Sequence, residues 1–191
     1  LVRTGKDEEA IFLLKKLLKK QPMDVGVNNL MGIALSNLGR IGEGAQFFDR
    51  AIRAEPLNYK LHLNYALHLI NSRLYGKAEE LCRRAAELNP FDAECWGRLS
   101  VTLRHQYKFE EAQEAGQKAI ELAPDQAIFY TDLAAIMNAS GRNDIGREVY
   151  LQGLERLPND HVLIDNMTAG ANYVQGQTGT EICALHRRNA A

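Results

Sequence analysis

Every proline in this chain of 191 residues stands on one ladder: Pro22, Pro56, Pro90, Pro124 and Pro158 follow one another at steps of 34. Proline has no amide hydrogen and disfavours a helical residue before it, so each rung stops the helix ahead of it. A fixed period in the mid-thirties holds two helices and two turns, and such units bury apolar faces between neighbours instead of in one central core. Three series of small residues keep the same phase. They are Gly32, Ala66, Ser100 and Ala134; Ala10, Gly44, Ala78, Ala112 and Gly146; and Ala51, Ala85, Ala119 and Gly153, with Leu17 the exception. The first two predict close approach of the helices within a unit, and the third admits the next unit. Leu35, Leu69, Leu103 and Met137 form one core column, and Met31, Tyr65, Leu99, Leu133 and Met167 another.

First helices are predicted over 25–38, 59–72, 93–106, 127–140 and 161–174, and second helices over 7–20, 43–54, 76–88, 110–122 and 144–156. Asp24, Asn58, Asp92 and Asp160 lie two residues past a proline, where a short side-chain oxygen accepts from the exposed amides of the next helix; Asp125 is a near-miss. Gly39 and Gly141 are expected to end first helices as left-handed caps, and Gly5 to end a truncated one. Gly5 lies 34 before Gly39, so the helix ahead of it is expected to be nearly all missing, as in an excised fragment. Arg73 and Tyr107 fill the glycine place in the middle units, which predicts that those two turns close differently. Gly116 falls in the column of Leu14, Phe48, Cys82 and Tyr150; Trp96 is expected to fill the space, with Tyr107 or Phe109 beside it, the alternative being a small pocket.

Trp96, Leu99, Ser100, Leu103, Phe109, Ala112, Ala119 and Pro124, with the ladder they belong to, resemble the tetratricopeptide repeat family. The fold expected is all-α, a right-handed superhelix of antiparallel helix pairs. The array spans 1–175 as a partial first repeat, four full repeats and a final single helix; 176–191 is a linker and the start of a further helix, where Thr178 and Glu181 have capping-box spacing ahead of Ile182, Leu185 and His186.

A formal charge of −1 argues against nucleic acid or an anionic membrane as main partner. Cys82, Cys95 and Cys183 have no paired spacing, which suits a reducing compartment, and with no leader or apolar span the chain reads as cytoplasmic. No cluster of acid, base and nucleophile suggests catalysis, no cofactor motif stands up, and His62, His68, His105, His161 and His186 lack metal-ligand spacing. The run 170–178 has phosphate-loop likeness but spaces its glycines wrongly and places Gln177 where lysine is needed. The acidic runs Asp7-Glu8-Glu9, Glu79-Glu80 and Glu110-Glu111 are expected in first turns of second helices as solvated faces that complement the helix dipole.

In arrays of the resembled family the first helices line a concave groove. Columns turned away from the small-residue contacts are Leu30, Asn64, Arg98, Asp132 and Asn166, and Asn37, Asn71, His105 and Ala139, with Asn29, Asn138 and Asn172 beside them. Asparagine is a poor helix-interior residue whose amide both donates and accepts, so a row of amides can pair with the backbone of an extended peptide. Arg98, Arg104 and His105 are expected to make the middle of the groove basic and able to hold an acidic group. The partner expected is therefore a protein or peptide. From Asn166 onward, Asn172-Tyr173, Glu181-Ile182 and Ala184-Leu185-His186-Arg187-Arg188 resemble the segment joining repeats to the catalytic part of O-linked N-acetylglucosamine transferase-like glycosyltransferases, from which Asn189 departs. That resemblance implies a catalytic domain beyond this chain, with the groove presenting the acceptor protein.

Overall fold

The computed structural model describes residues 2–171, with side chains over 6–169. These residues form ten α-helices and no strand: α1 Val2–Lys20, α2 Val25–Asn37, α3 Ile41–Ala54, α4 Tyr59–Asn71, α5 Tyr75–Leu88, α6 Ala93–His105, α7 Phe109–Leu122, α8 Ala127–Ala139, α9 Asn143–Arg156 and α10 His161–Ala171. The array is all-α, as the ladder requires. The boundary expected at 175 and the capping box after it lie outside the described residues.

The small series do what their phase predicts. Ala66, Ala78, Ala85, Ala112, Ala119 and Ala134 are fully or almost fully buried. A methyl added at Gly44 would sit 2.9 Å from the Gly32 carbonyl oxygen, and one at Gly146 3.1 Å from that of Ala134, so these helices touch backbone to backbone. Gly116 behaves otherwise than expected. Its space is filled from the next repeat, by Leu133 with Cδ1 at 3.2 Å and Ile136 with Cδ1 at 3.6 Å from a built methyl. Trp96 is held elsewhere, its indole donating to the Pro90 carbonyl at 2.8 Å, while Tyr107 and Phe109 meet edge to face.

That indole bond is one of four. Asn28 donates to the carbonyl of Pro22 at 3.0 Å, His62 Nε2 to Pro56 at 3.0 Å, and Tyr130 Oη to Pro124 at 3.0 Å. Four unlike side chains, one repeat apart, each tie the second turn of a first helix to the proline carbonyl six residues back. The bond to His62 fixes its Nε2–H tautomer and leaves Nδ1 buried without a partner. Ile164 holds the fifth place and has no donor.

Three of the four expected caps form: Asp24 accepts from Val27 N at 2.7 Å, Asp92 from Glu94 N at 2.8 Å and Asp160 from Leu163 N at 3.0 Å. Asn58 makes no cap bond and instead donates to Glu55 at 2.8 Å. Gly5 ends nothing, because α1 runs through it from Val2; the acidic run at 7–9 therefore lies past the first turn. The middle turns also correct the expectation. Arg73 at φ 60° and Tyr107 at φ 61° are left-handed like Gly39 at 77° and Gly141 at 79°. All four turns close with the same bonds, for example Leu74 N to Leu69 O at 2.9 Å and Arg40 N to Leu35 O at 2.9 Å.

Candidate binding groove

Successive first helices, α2 with α4, α4 with α6, α6 with α8 and α8 with α10, come within 8 Å between Cα atoms, whereas α3, α5, α7 and α9 do not reach one another. In a curved stack the closely spaced layer is the inner one, so the first helices form the concave side. Gly97 makes this spacing possible between α6 and α8, since a methyl there would lie 2.5 Å from the Phe129 ring.

On that layer the asparagines differ in what they do. Asn64 donates to Asn29 at 3.4 Å, which joins α4 to α2. Asn37 donates to Asp7 on α1 at 3.3 Å, and Asn71 is exposed. Asn138 lies over Gly146, its amide filling the space where a side chain on α9 would go, so it faces the helix-pair contact. Asn166 is half-buried on α10, and Asn172 lies outside the described residues.

The charged members meet at the centre. Arg98 is tied to Glu94, its Nε donating to Oε1 at 3.0 Å. Arg104 reaches the His105 ring at 3.4 Å and keeps its Nε buried and without a partner. Asp132 on α8 feels both arginines. Burial pushes its carboxyl up to about 6, against the pull of Arg104 and Arg98. Asp132 is half-buried and has no hydrogen bond or ion pair with any described residue. The His105 imidazole is shifted down by burial, and then by Arg104 and Arg73; that of His68, likewise on a first helix, by burial and then by Arg98.

Across the second-helix face, Glu79 departs from the solvated reading. Its carboxylate receives Lys108 at 2.8 Å, Arg83 at 2.8 Å and the Gln106 amide at 2.7 Å, and its side chain is only 12% exposed. Burial pushes the carboxyl up, but the three donors outweigh it and bring it down to about 2. One repeat on, at the equivalent positions, Arg142 donates to Gln113 at 2.8 Å. Sequence reasoning missed this seam, although Glu79 and Gln113, like Lys108 and Arg142, share a repeat phase. No group of three or more metal-ligating side chains occurs among the described residues.

Family models for the tetratricopeptide repeat match residues 29–93 and 81–114. The stretch 29–114 thus consists of tetratricopeptide repeats, and repeats of this kind mediate contacts between proteins. Among solved structures, MamA 41-end from Desulfovibrio magneticus RS-1 is similar at 23% identity and TM-score 0.74, over 84% of this chain and 90% of that one. MamA AMB-1 is similar at 25% identity and TM-score 0.64, over 80% and 90%. Curated protein sequences give no match. The repeats support a role in contacts between proteins, and the likeness to the MamA structures extends to the fold. No described helix is long and apolar enough to cross a membrane.

Proposed function

We propose that the chain holds an extended segment of a partner protein along the concave first-helix layer, with the amides of Asn29, Asn64, Asn71 and Asn166 pairing with its backbone and Asp132 receiving donors from it. The observation that carries this reading is the inner layer itself, which joins Asn64 to Asn29 across two helices and leaves Asp132 without a partner. Amides that donate and accept suit a main chain of any sequence. Buried Cys82 and Cys95, with thiols pushed up by burial to about 11 and about 12, act as inert core residues and fit a cytoplasmic setting. The test uses fluorescein-labelled peptides of uncharged, unrelated sequence. The double variant Asn64→Ala with Asn71→Ala should weaken all of them by about five-fold, the loss of one or two ordinary hydrogen bonds. Equal affinity in the variant would remove the asparagines from the site.

The glycosyltransferase reading rests on the sequence run that begins at Asn166, of which residues 172–191 lie outside the described structure. Under it, the same groove presents an acceptor protein to a catalytic domain. The downstream reading frame tests it: two α/β lobes after Ala191 would support the reading, and a stop codon there would end it.

A further inference from the structure

Arg73 and Tyr107 hold left-handed backbone at φ 60° and 61° in the places where the outer repeats use glycine. A side chain resists that conformation, which glycine adopts freely, so a bulky residue there needs a reason. Packing does not supply one for Tyr107, which is 80% exposed; Arg73 is exposed too. Between these two turns an aromatic shelf is already assembled. The Tyr75 and His105 rings stack at 4.6 Å and 6°, Gln106 Nε2 reaches the Tyr75 carbonyl at 3.4 Å, and Phe109 closes on Tyr107 edge to face at 6.1 Å.

Among the described residues neither Arg73 nor Arg104 makes an ion pair, while the acidic Glu79 and Glu111 are engaged by Lys108 and Arg83. Glu80, Glu110 and Asp132 make no such pairing among the described residues, and Asp132, on the groove side, feels Arg104. Two unpaired guanidinium groups beside stacked rings suit carboxylates carried next to a flat aromatic group, because the planar fork binds carboxylate and also lies against a ring.

We propose that the edge formed by the α4–α5 and α6–α7 turns is a second interaction surface, which takes an acidic, aromatic-containing segment of a partner protein against Arg73, Tyr75, His105 and Tyr107. This surface lies at the turn end of the first helices and does not require an occupied groove. Its chemistry is cation and ring, where that of the groove is amide.

The experiment combines stability with binding, because the two turn residues are assigned to binding at the cost of the backbone. Arg73→Gly with Tyr107→Gly should melt at or above the parent temperature. A fluorescein-labelled peptide of Asp, Glu and one Tyr should bind the parent protein, perturb the His105 ring resonances, and weaken about ten-fold in the double variant, as loss of charge-assisted contacts does. Its Lys and Arg counterpart should not bind, and binding of the acidic peptide should fall with salt. A melting temperature several degrees below the parent would assign both side chains to the fold. Binding that ignores the substitutions, equal binding of both peptides, or an undisturbed His105 ring would each overturn the proposal, whatever the asparagine variants show for the groove.

Discussion

The carboxylates of Glu79 and Asp132 both lie where one repeat meets the next, and burial disfavours the charge of each. At the second-helix seam Lys108, Arg83 and Gln106 donate directly to Glu79, and its carboxyl falls to about 2. On the first-helix layer Arg98 is committed to Glu94 and Arg104 stays beyond ion-pair distance, so Asp132 rises to about 6. One chemical group thus serves two ends. The seam satisfies its buried charge from within the chain, whereas the first-helix layer leaves the Asp132 carboxylate without a direct donor among the described residues, as the proposed partner contact would require.

Glu79 gives the largest expected effect. Its ordinary value is 4.5 and its folded value about 2, so the stability it adds is present above about 4.5 and is lost as pH falls towards 2. Lys108 and Arg83 are near half exposed and water screens them, which discounts the gain to about 1–2 kcal/mol at neutral pH. Glu79→Gln should lower stability by that amount at pH 7 and flatten the acid limb of the curve. Urea unfolding at pH 7 and pH 3 measures both, and a variant as stable as the parent at pH 7 would erase the contrast.

Asp132 should respond in the opposite sense. Its ordinary value is 3.8 and its folded value about 6, so the folded state binds the extra proton; stability is fullest below about 4 and is lost as pH rises through 6. Asp132→Asn should therefore stabilise the protein by about 1 kcal/mol at pH 8 and leave it unchanged at pH 4. Melting curves at the two pH values decide it. Destabilisation at pH 8 would mean that Asp132 is satisfied after all, and the two carboxylates would belong to one class.

The repeat itself was open to reading because proline and small residues act through the backbone, where residue type nearly determines the outcome. Pro90 stops a helix in any context, and Ala112 permits close approach whatever lies opposite. Phase alone set the columns of the first-helix layer, and it did not separate Asn138, which packs over Gly146, from Asn71, which is exposed. What escaped were features defined by a role that several residue types can fill. Asn28, His62, Trp96 and Tyr130 share only a hydrogen-bond donor, so their common bond to a proline carbonyl does not show as a residue pattern. Glu79 reads as one more surface acid until the turn carrying Gln106 and Lys108 folds over it. Left-handed backbone at Arg73 and Tyr107 escaped because glycine is the residue that announces that conformation.

Gly116 gives the smallest expected effect and probes how firmly the helix bearing Asp132 is held. A methyl at Gly116 would lie 3.2 Å from Leu133 Cδ1 and 3.6 Å from Ile136 Cδ1, both far ends of side chains on α8. Alanine in place of glycine gains about 1 kcal/mol of helix propensity. Part of that is spent as Leu133 gives way by a few tenths of an ångström, so Gly116→Ala should gain only about 0.5 kcal/mol. Because Leu133 adjoins Asp132 in sequence, the adjustment should also move the Asp132 carboxyl resonance in a titration followed by carbon NMR, while that of Glu79 stays in place. Trp96 emission should not change, since its indole is tied to Pro90 and not to this space. Loss of stability of about 1 kcal/mol or more would show α8 to be packed as rigidly as the seam at Glu79. The under-satisfied charge of Asp132 would then be built into a fixed surface, with no slack in the helix that carries it.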